Sequence, residues 1–259
     1  MSVILYGPES QVFNTYDPVS PAPGDNGPGG QIAQRGRHPL GQQLILQDGR
    51  KFRFARAGGT ALVIGNVLQS ATPISTDASM ACAAGAVNDR IITFTHGGAT
   101  VIINFFAEGF GNISLAPGSA QMYKIASHLA LRSSTAGDVI NLAPGHAIRV
   151  ALTTTSDLTL VTHVCDGVIQ MPTTPDAALA GIAITAIPIG DFGWIQTRGL
   201  ASVLSAASTV SGNNVGCLLT GGTGGAVAPL SAATQPVVGI AQAAEGTGEW
   251  GAINLTIDG

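Results

Sequence analysis

The side chains able to do acid–base or nucleophilic work are few in this chain and poorly grouped. His163 stands just before Asp166, and Ser127 adjoins His128. A Ser–His–Asp site could be drawn from such residues, because triads assemble in space rather than along the chain. No Gly-x-Ser-x-Gly elbow presents a serine, however. His163 also lies in the alternating stretch Leu158 to Val164, where a strand histidine is the ordinary reading. The five histidines (His38, His96, His128, His146, His163) never fall two or four residues apart, so one strand or helix face does not offer a metal two imidazoles. Cys82, Cys165 and Cys217 are widely separated, without Cys-x-x-Cys spacing, and signal neither zinc nor a disulfide framework. The run Gly221-Gly-Thr-Gly-Gly225 lacks the lysine and helix start that a phosphate loop needs. The residues therefore predict no enzyme, no metal and no other cofactor.

Charge is the second feature that bears on chemistry. Only 10% of the 259 residues are charged, against 45% hydrophobic, where an ordinary soluble domain carries roughly 25% charged residues. A surface so short of charge suits a chain covered by partners. The charges are also lopsided. Arg35, Arg37, Arg50, Lys51, Arg53 and Arg56 supply six of the 11 cations, while Arg198 is the sole cation beyond residue 150. Such a layout can orient a subunit against a charged surface. The basic run is short, with only Phe52 and Phe54 interleaved, so nucleic acid is not an expected partner. The longest apolar stretch, 177–189, is shorter than the roughly 18–20 residues of a membrane span. The N-terminus lacks the basic start and long apolar core of a signal peptide. Neither export nor a membrane is expected, and three unpaired thiols suit assembly in a reducing cytoplasm.

The elements that must position these groups read as strands. Thirty-five glycines and 14 prolines punctuate a chain rich in Val, Ile and Thr, whose branched Cβ fits the pleated sheet. Residues 1–46 read as an extended Pro/Gly-rich N-terminal arm, with Tyr6, Phe13 and Tyr16 as aromatic anchors for a neighbour. Gln43 to Gln47, Asp48-Gly49 and Arg50 to Ala55 read as a hairpin with a tight Asp-Gly turn. Arg90–Thr95, Thr100–Phe106, Met122–Ala126, Ala147–Thr153, Leu158–Val164 and Val168–Met171 continue the series. In Ser114-Leu-Ala-Pro-Gly118 and Asn141-Leu-Ala-Pro-Gly145 the glycine is placed for a positive φ. Ser75–Ala86 is the one helix candidate. Pro172 and Pro175 suggest a domain boundary near 171–176. Beyond it, strands are expected at Ile182–Ile187, Phe192–Arg198, Ala201–Leu204, Val215–Leu219, Val237–Ala241 and Trp250–Ile257. The expected fold is all-β, with an arm (1–46) and two small sandwich or barrel domains (47–175 and 176–259); jelly-roll and other topologies stay open.

Phe192-Gly-Trp-Ile-Gln-Thr-Arg-Gly199, Val210-Ser-Gly-Asn-Asn214, Gln235-Pro-Val-Val-Gly-Ile-Ala-Gln242 and Ile253-Asn-Leu-Thr-Ile257 together resemble the small β proteins of tailed-bacteriophage heads. Pro39 through Ala55 is similar to the start of uncharacterised phage virion proteins. The resemblance implies a capsid decoration, or cement, protein: a homotrimer on the capsid exterior, bound to the major capsid protein, without catalytic residues. On this reading Tyr6, Phe13, Tyr16, Arg35, Arg37, Arg50, Lys51 and Arg53 face the shell or a neighbour. Two other classes compete with it. A head-fibre or tail adhesin for host glycans would need aromatic platforms, and a particle-borne hydrolase would need a compact polar constellation.

Overall fold

The computed structural model describes residues 4–16, 38–217 and 224–258. The fold is all-β. A short strand, β1 (Leu5–Tyr6), and a 3-10 turn (Glu9–Phe13) precede β2 (Gln43–Ile45), β3 (Lys51–Arg56) and β4 (Val67–Gln69). There follow β5 (Met80–Ala81), β6 (Ile91–Thr95), β7 (Phe110–Ile113), β8 (Gln121–His128), β9 (Ala136–Leu142) and β10 (Asp157–Val161). The chain ends through β11 (Ile169–Gln170), β12 (Leu179–Ala183), β13 (Phe192–Leu204), β14 (Asn214–Cys217), β15 (Val227–Pro229), β16 (Val237–Ala241) and β17 (Trp250–Thr256).

The strands divide into two compact units, but not at the boundary the prolines suggest. One unit, the barrel unit, takes its described residues from 73–163; the other, the sheet unit, is built from the segments before and after it. Pairing gives the reason. β3 lies antiparallel to β13, and β4 lies against β11 and β12, so residues 47–72 and 164–259 share one sheet. The expected split of 47–175 from 176–259 is therefore overturned, and Met171, inside the expected linker, is a buried core residue. The expected arm is corrected in part. β1 pairs parallel to β2, and Val12 is fully buried with Leu44, Phe52 and Phe54, so residues 4–16 belong to the fold of the sheet unit.

The barrel unit has strand order β5-β10-β7-β8-β9-β6, antiparallel throughout. A bridge from Cys82 to Phe94 and a 2.8 Å bond from Ala83 N–H to the Thr93 carbonyl bring the end of β5 back to β6. Such closure shortens the free edge that an open sheet would present. Inward residues alternate along each strand and converge on one core that includes Ile92, Phe94, Ile113, Tyr123, Ile125, Ile140 and Leu158. The helix candidate at 75–86 holds only a 3-10 turn, Ser75–Asp77, before β5 begins. Residues 100–106 are a looped segment in which Val101 alone bridges, to Leu131. Asn104 and Glu108 take positive φ there, which a continuous strand does not allow. Residues 147–153 likewise form a loop, but Ile148 and Leu152 reach from it into the core.

In the sheet unit the path runs β1-β2-β3-β13-β17-β16-β14-β15, with β12 joining β13 to β4. The 13-residue β13 is its spine: Phe192–Arg198 pairs with β3, and Arg198–Leu204 with β17. Three apolar clusters form around it rather than one. The aromatic cluster is the most specific: Trp194 lies opposite Phe54, ring centroids 5.1 Å apart, and Phe54 stacks on Phe192 at 5.7 Å. The period of two in β3 holds, with Phe52 and Phe54 buried and Lys51 and Arg53 half-buried. Gly49 has φ +87°, as the hairpin turn requires, and Gly118 and Gly145 are also positive.

Candidate interaction surfaces

Of the residues singled out as anchors, three lie on the N-terminal segment of the sheet unit. Tyr6 is 77% exposed and Phe13 52% exposed even though the segment is docked. Alternation explains this: Leu5 and Val12 turn inward, so their neighbours turn out. Tyr16 is used internally. Its backbone exchanges two bonds with Phe192 (2.8 and 2.9 Å), and its ring meets Phe54 edge-on at 5.7 Å. Tyr16 and His38 have ring centroids 6.3 Å apart. Arg35 and Arg37 lie outside the described residues. A groove runs between this segment and the hairpin, lined by Tyr6, Pro8, Glu9, Leu46, Asp48 and Arg50.

The basic hairpin is electrically closed rather than presented. Arg50 contacts Glu9 and Asp48, each at 2.6 Å. Arg53 grips Asp258 with two bonds, 2.8 and 2.9 Å, and donates a third to the Gly41 carbonyl. Arg56 meets the buried Asp166 at 2.5 Å. Hydrogen bonds from Arg53 hold the Asp258 carboxyl below its ordinary value, and the Arg50 backbone N–H does the same for Asp48. The sequence's separation of early cations from late anions thus has a local cause: β3 sits against β13, so Asp166 and Asp258 return to the arginines. Electrostatic docking through the hairpin has only Lys51 left among its described cations outside an ion pair.

Two of the suspected catalytic groups have partners of their own. His128 is buried; its Nε2 accepts from the Phe106 N–H at 2.9 Å, and its Nδ1 faces the Leu129 carbonyl at 2.6 Å. Asp166 is engaged by Arg56. A pair that local spacing does not announce lies in the barrel unit: His96 Nε2 meets Asp77 Oδ1 at 2.7 Å, at 0% and 1% side-chain exposure. The other ring nitrogen faces the Arg132 carbonyl at 3.1 Å. Both nitrogens therefore face oxygen acceptors and neither is left for a substrate, so the pair acts as a clamp between the 75–77 turn and the end of β6. All three cysteines are buried thiols. Burial pushes the Cys82 thiol up to about 11 and those of Cys165 and Cys217 up to about 12. Among the described residues no three His, Cys, Asp or Glu side chains converge on one point.

Large apolar side chains are exposed on both units. In the sheet unit Trp250, opposite Leu204, is 56% exposed, and Val63 and Ile64, which precede Gly65, are exposed as well. A Cβ at Gly65 would overlap the indole, so glycine at that position creates the seat of the ring. In the barrel unit Ile102, Met122 and Leu129 are exposed. Comparison of the chain with family profiles, curated proteins and solved structures gives no match.

Proposed function

We propose that the chain is a structural protein of a tailed-phage particle that binds the outside of the capsid and stabilises the shell. The observation that carries this reading is the combination of a charge-poor chain with large apolar side chains exposed on both units, Tyr6, Phe13, Trp250 and Leu129 among them. A surface that presents apolar groups with little charge to keep copies apart favours association. A second support is positional. Three of the segments that carry the resemblance to phage head proteins lie on β13, β16 and β17, which are consecutive in one sheet. The mechanism is thermodynamic: each copy buries apolar area worth about 25 cal/mol per Å², and binding only the mature lattice stabilises that lattice by linkage. Several weak contacts joined in a homotrimer multiply through effective concentration.

Because residues 4–16 are part of the fold, removing the whole segment would confound binding with stability. The cleaner test replaces exposed side chains only. Tyr6→Ser with Phe13→Ser is expected to leave the circular dichroism and melting temperature near those of the parent. The same variant is expected to abolish co-sedimentation with undecorated capsids. Full occupancy by the double variant overturns the N-terminal face as the shell contact. Failure of the parent chain to bind any capsid overturns the function.

A further inference from the structure

The barrel unit carries a groove whose chemistry is the complement of a loop on the sheet unit. The groove is lined by Val87, Met122, Tyr123, His146, Ile148 and Arg149, among others. Met122 and Val87 are about half exposed and form its apolar wall. Tyr123 forms the floor; the Arg149 guanidinium lies 5.6 Å from its ring centroid, and the Arg149 N–H donates to the Tyr123 hydroxyl at 3.1 Å. Lys124 is half-buried and, by the alternation of β8, lies on the same outward face as Met122. Its backbone N–H donates to His146 Nδ1 at 3.3 Å. The nearby Asp89 carboxylate accepts one bond within its own turn, from the Ala86 N–H at 2.8 Å. The groove is thus an apolar trough with Arg149 in its lining and Lys124 on the adjoining outward face of β8, neither of them in an ion pair among the described residues.

The loop before β17 is its opposite. Glu245 and Glu249 flank Gly246-Thr-Gly248 and are followed by the exposed Trp250. No ion pair holds either glutamate among the described residues. The loop is ordered in advance. Thr209 N–H donates to the Glu245 carbonyl, Ser205 N–H to that of Glu249, Gly248 N–H to that of Ser205, and Gly246 N–H to Glu249 Oε2. A loop already fixed loses little entropy on docking. Aromatic and arginine side chains beside apolar walls are also the groups that dominate protein interfaces.

We propose that the Glu245–Trp250 loop of one copy seats in the Lys124–Arg149 groove of a second copy. The two surfaces differ, so the contact is head-to-tail and builds a ring where the rotation closes, or a chain where it does not. The inference concerns self-association and does not depend on the capsid reading. Its test uses no capsid.

Charge reversal on each side gives a decisive experiment. Glu245→Lys with Glu249→Lys makes the loop basic, and Lys124→Glu with Arg149→Glu makes the groove acidic. Each double variant alone is expected to self-associate at least tenfold more weakly than the parent, by sedimentation velocity at low salt. Mixing the two is expected to restore assembly, because each variant's loop then complements the other's groove. Parent-like assembly of either variant, absence of recovery in the mixture, or a parent chain that stays monomeric would each overturn the contact. Circular dichroism checks that the variants fold. If a reversal unfolds its unit, Glu249→Gln and Arg149→Gln replace it, with weaker association expected from each and unchanged association counting against the proposal.

Discussion

The two units solve the same problem differently. The barrel unit draws its six strands from one continuous stretch and closes on itself around a single core. The sheet unit gathers strands from both sides of that stretch, leaves an edge at β1, and distributes its burial over three clusters. Its coherence depends on β13 and on pairs far apart in sequence, such as Arg53 with Asp258. A continuous closed unit can form from near contacts, whereas the discontinuous one must first bring distant segments together, which is entropically slower. The unit with the harder assembly also holds the N-terminal face and the Trp250 loop.

The sharpest way to break this contrast is to attack each unit's own anchor. Trp194→Ala removes the largest fully buried side chain of the chain and is expected to cost about 3–5 kcal/mol. The loss is expected in the sheet unit alone, seen as a calorimetric transition moving down while the barrel's stays in place. One shared, cooperative shift would show that the units do not unfold separately. The matching change in the barrel is Asp77→Ala. It leaves the buried His96 Nε2 facing no acceptor, and a loss of about 2–3 kcal/mol is expected, confined to the other transition. Denaturant titration followed by indole fluorescence separates the two, because both tryptophans, Trp194 and Trp250, lie in the sheet unit.

Legibility in the sequence follows the same division. Strands with clean alternation were readable: Phe52 and Phe54 in β3, Ile92 and Phe94 in β6, and the turn at Gly49. The all-β class followed from composition. What distant pairing decides was not readable. Pro172 and Pro175 look like a linker, yet β11 and β12 on either side of them both pair with β4. Gly199 looks like a strand end, yet it sits inside β13 at φ +83°, opposite Leu255, so two expected strands are one. Of the eight expected contact residues, Tyr6 and Phe13 stand out in solvent, Tyr16 turns inward, and Arg50 and Arg53 are spent on carboxylates. Lys51 is half-buried, and Arg35 and Arg37 lie outside the described residues. The Asp77–His96 clamp had no local signature, because its members are brought together only when the barrel closes.

A milder change probes the edge of the sheet unit. Gly65 takes φ +78° and lies under the Trp250 indole. Gly65→Ala is expected to cost about 1–2 kcal/mol from the backbone alone. It is also expected to displace the ring, read as a red-shifted Trp250 emission in a Trp194→Phe background. Unchanged emission would mean the indole does not rest on that glycine.

The smallest expected effect tests whether distant ion pairs hold the discontinuous unit together. Arg53 keeps Asp258 below its ordinary value of 3.8. A carboxyl made more acidic by folding stabilises the native state above its unfolded value, and that contribution disappears as pH falls through the folded value. Asp258→Asn is therefore expected to lower stability by about 0.5–1 kcal/mol at pH 7, the range of a partly exposed pair. The gap between parent and variant is expected to close as the solution is taken below about pH 4. Urea midpoints of both proteins across that range measure it. A gap that persists at low pH would assign the loss to the neutral bond between Thr197 and Asp258 rather than to charge. The sheet unit would then owe its closure to packing around β13 and not to the return of its anions.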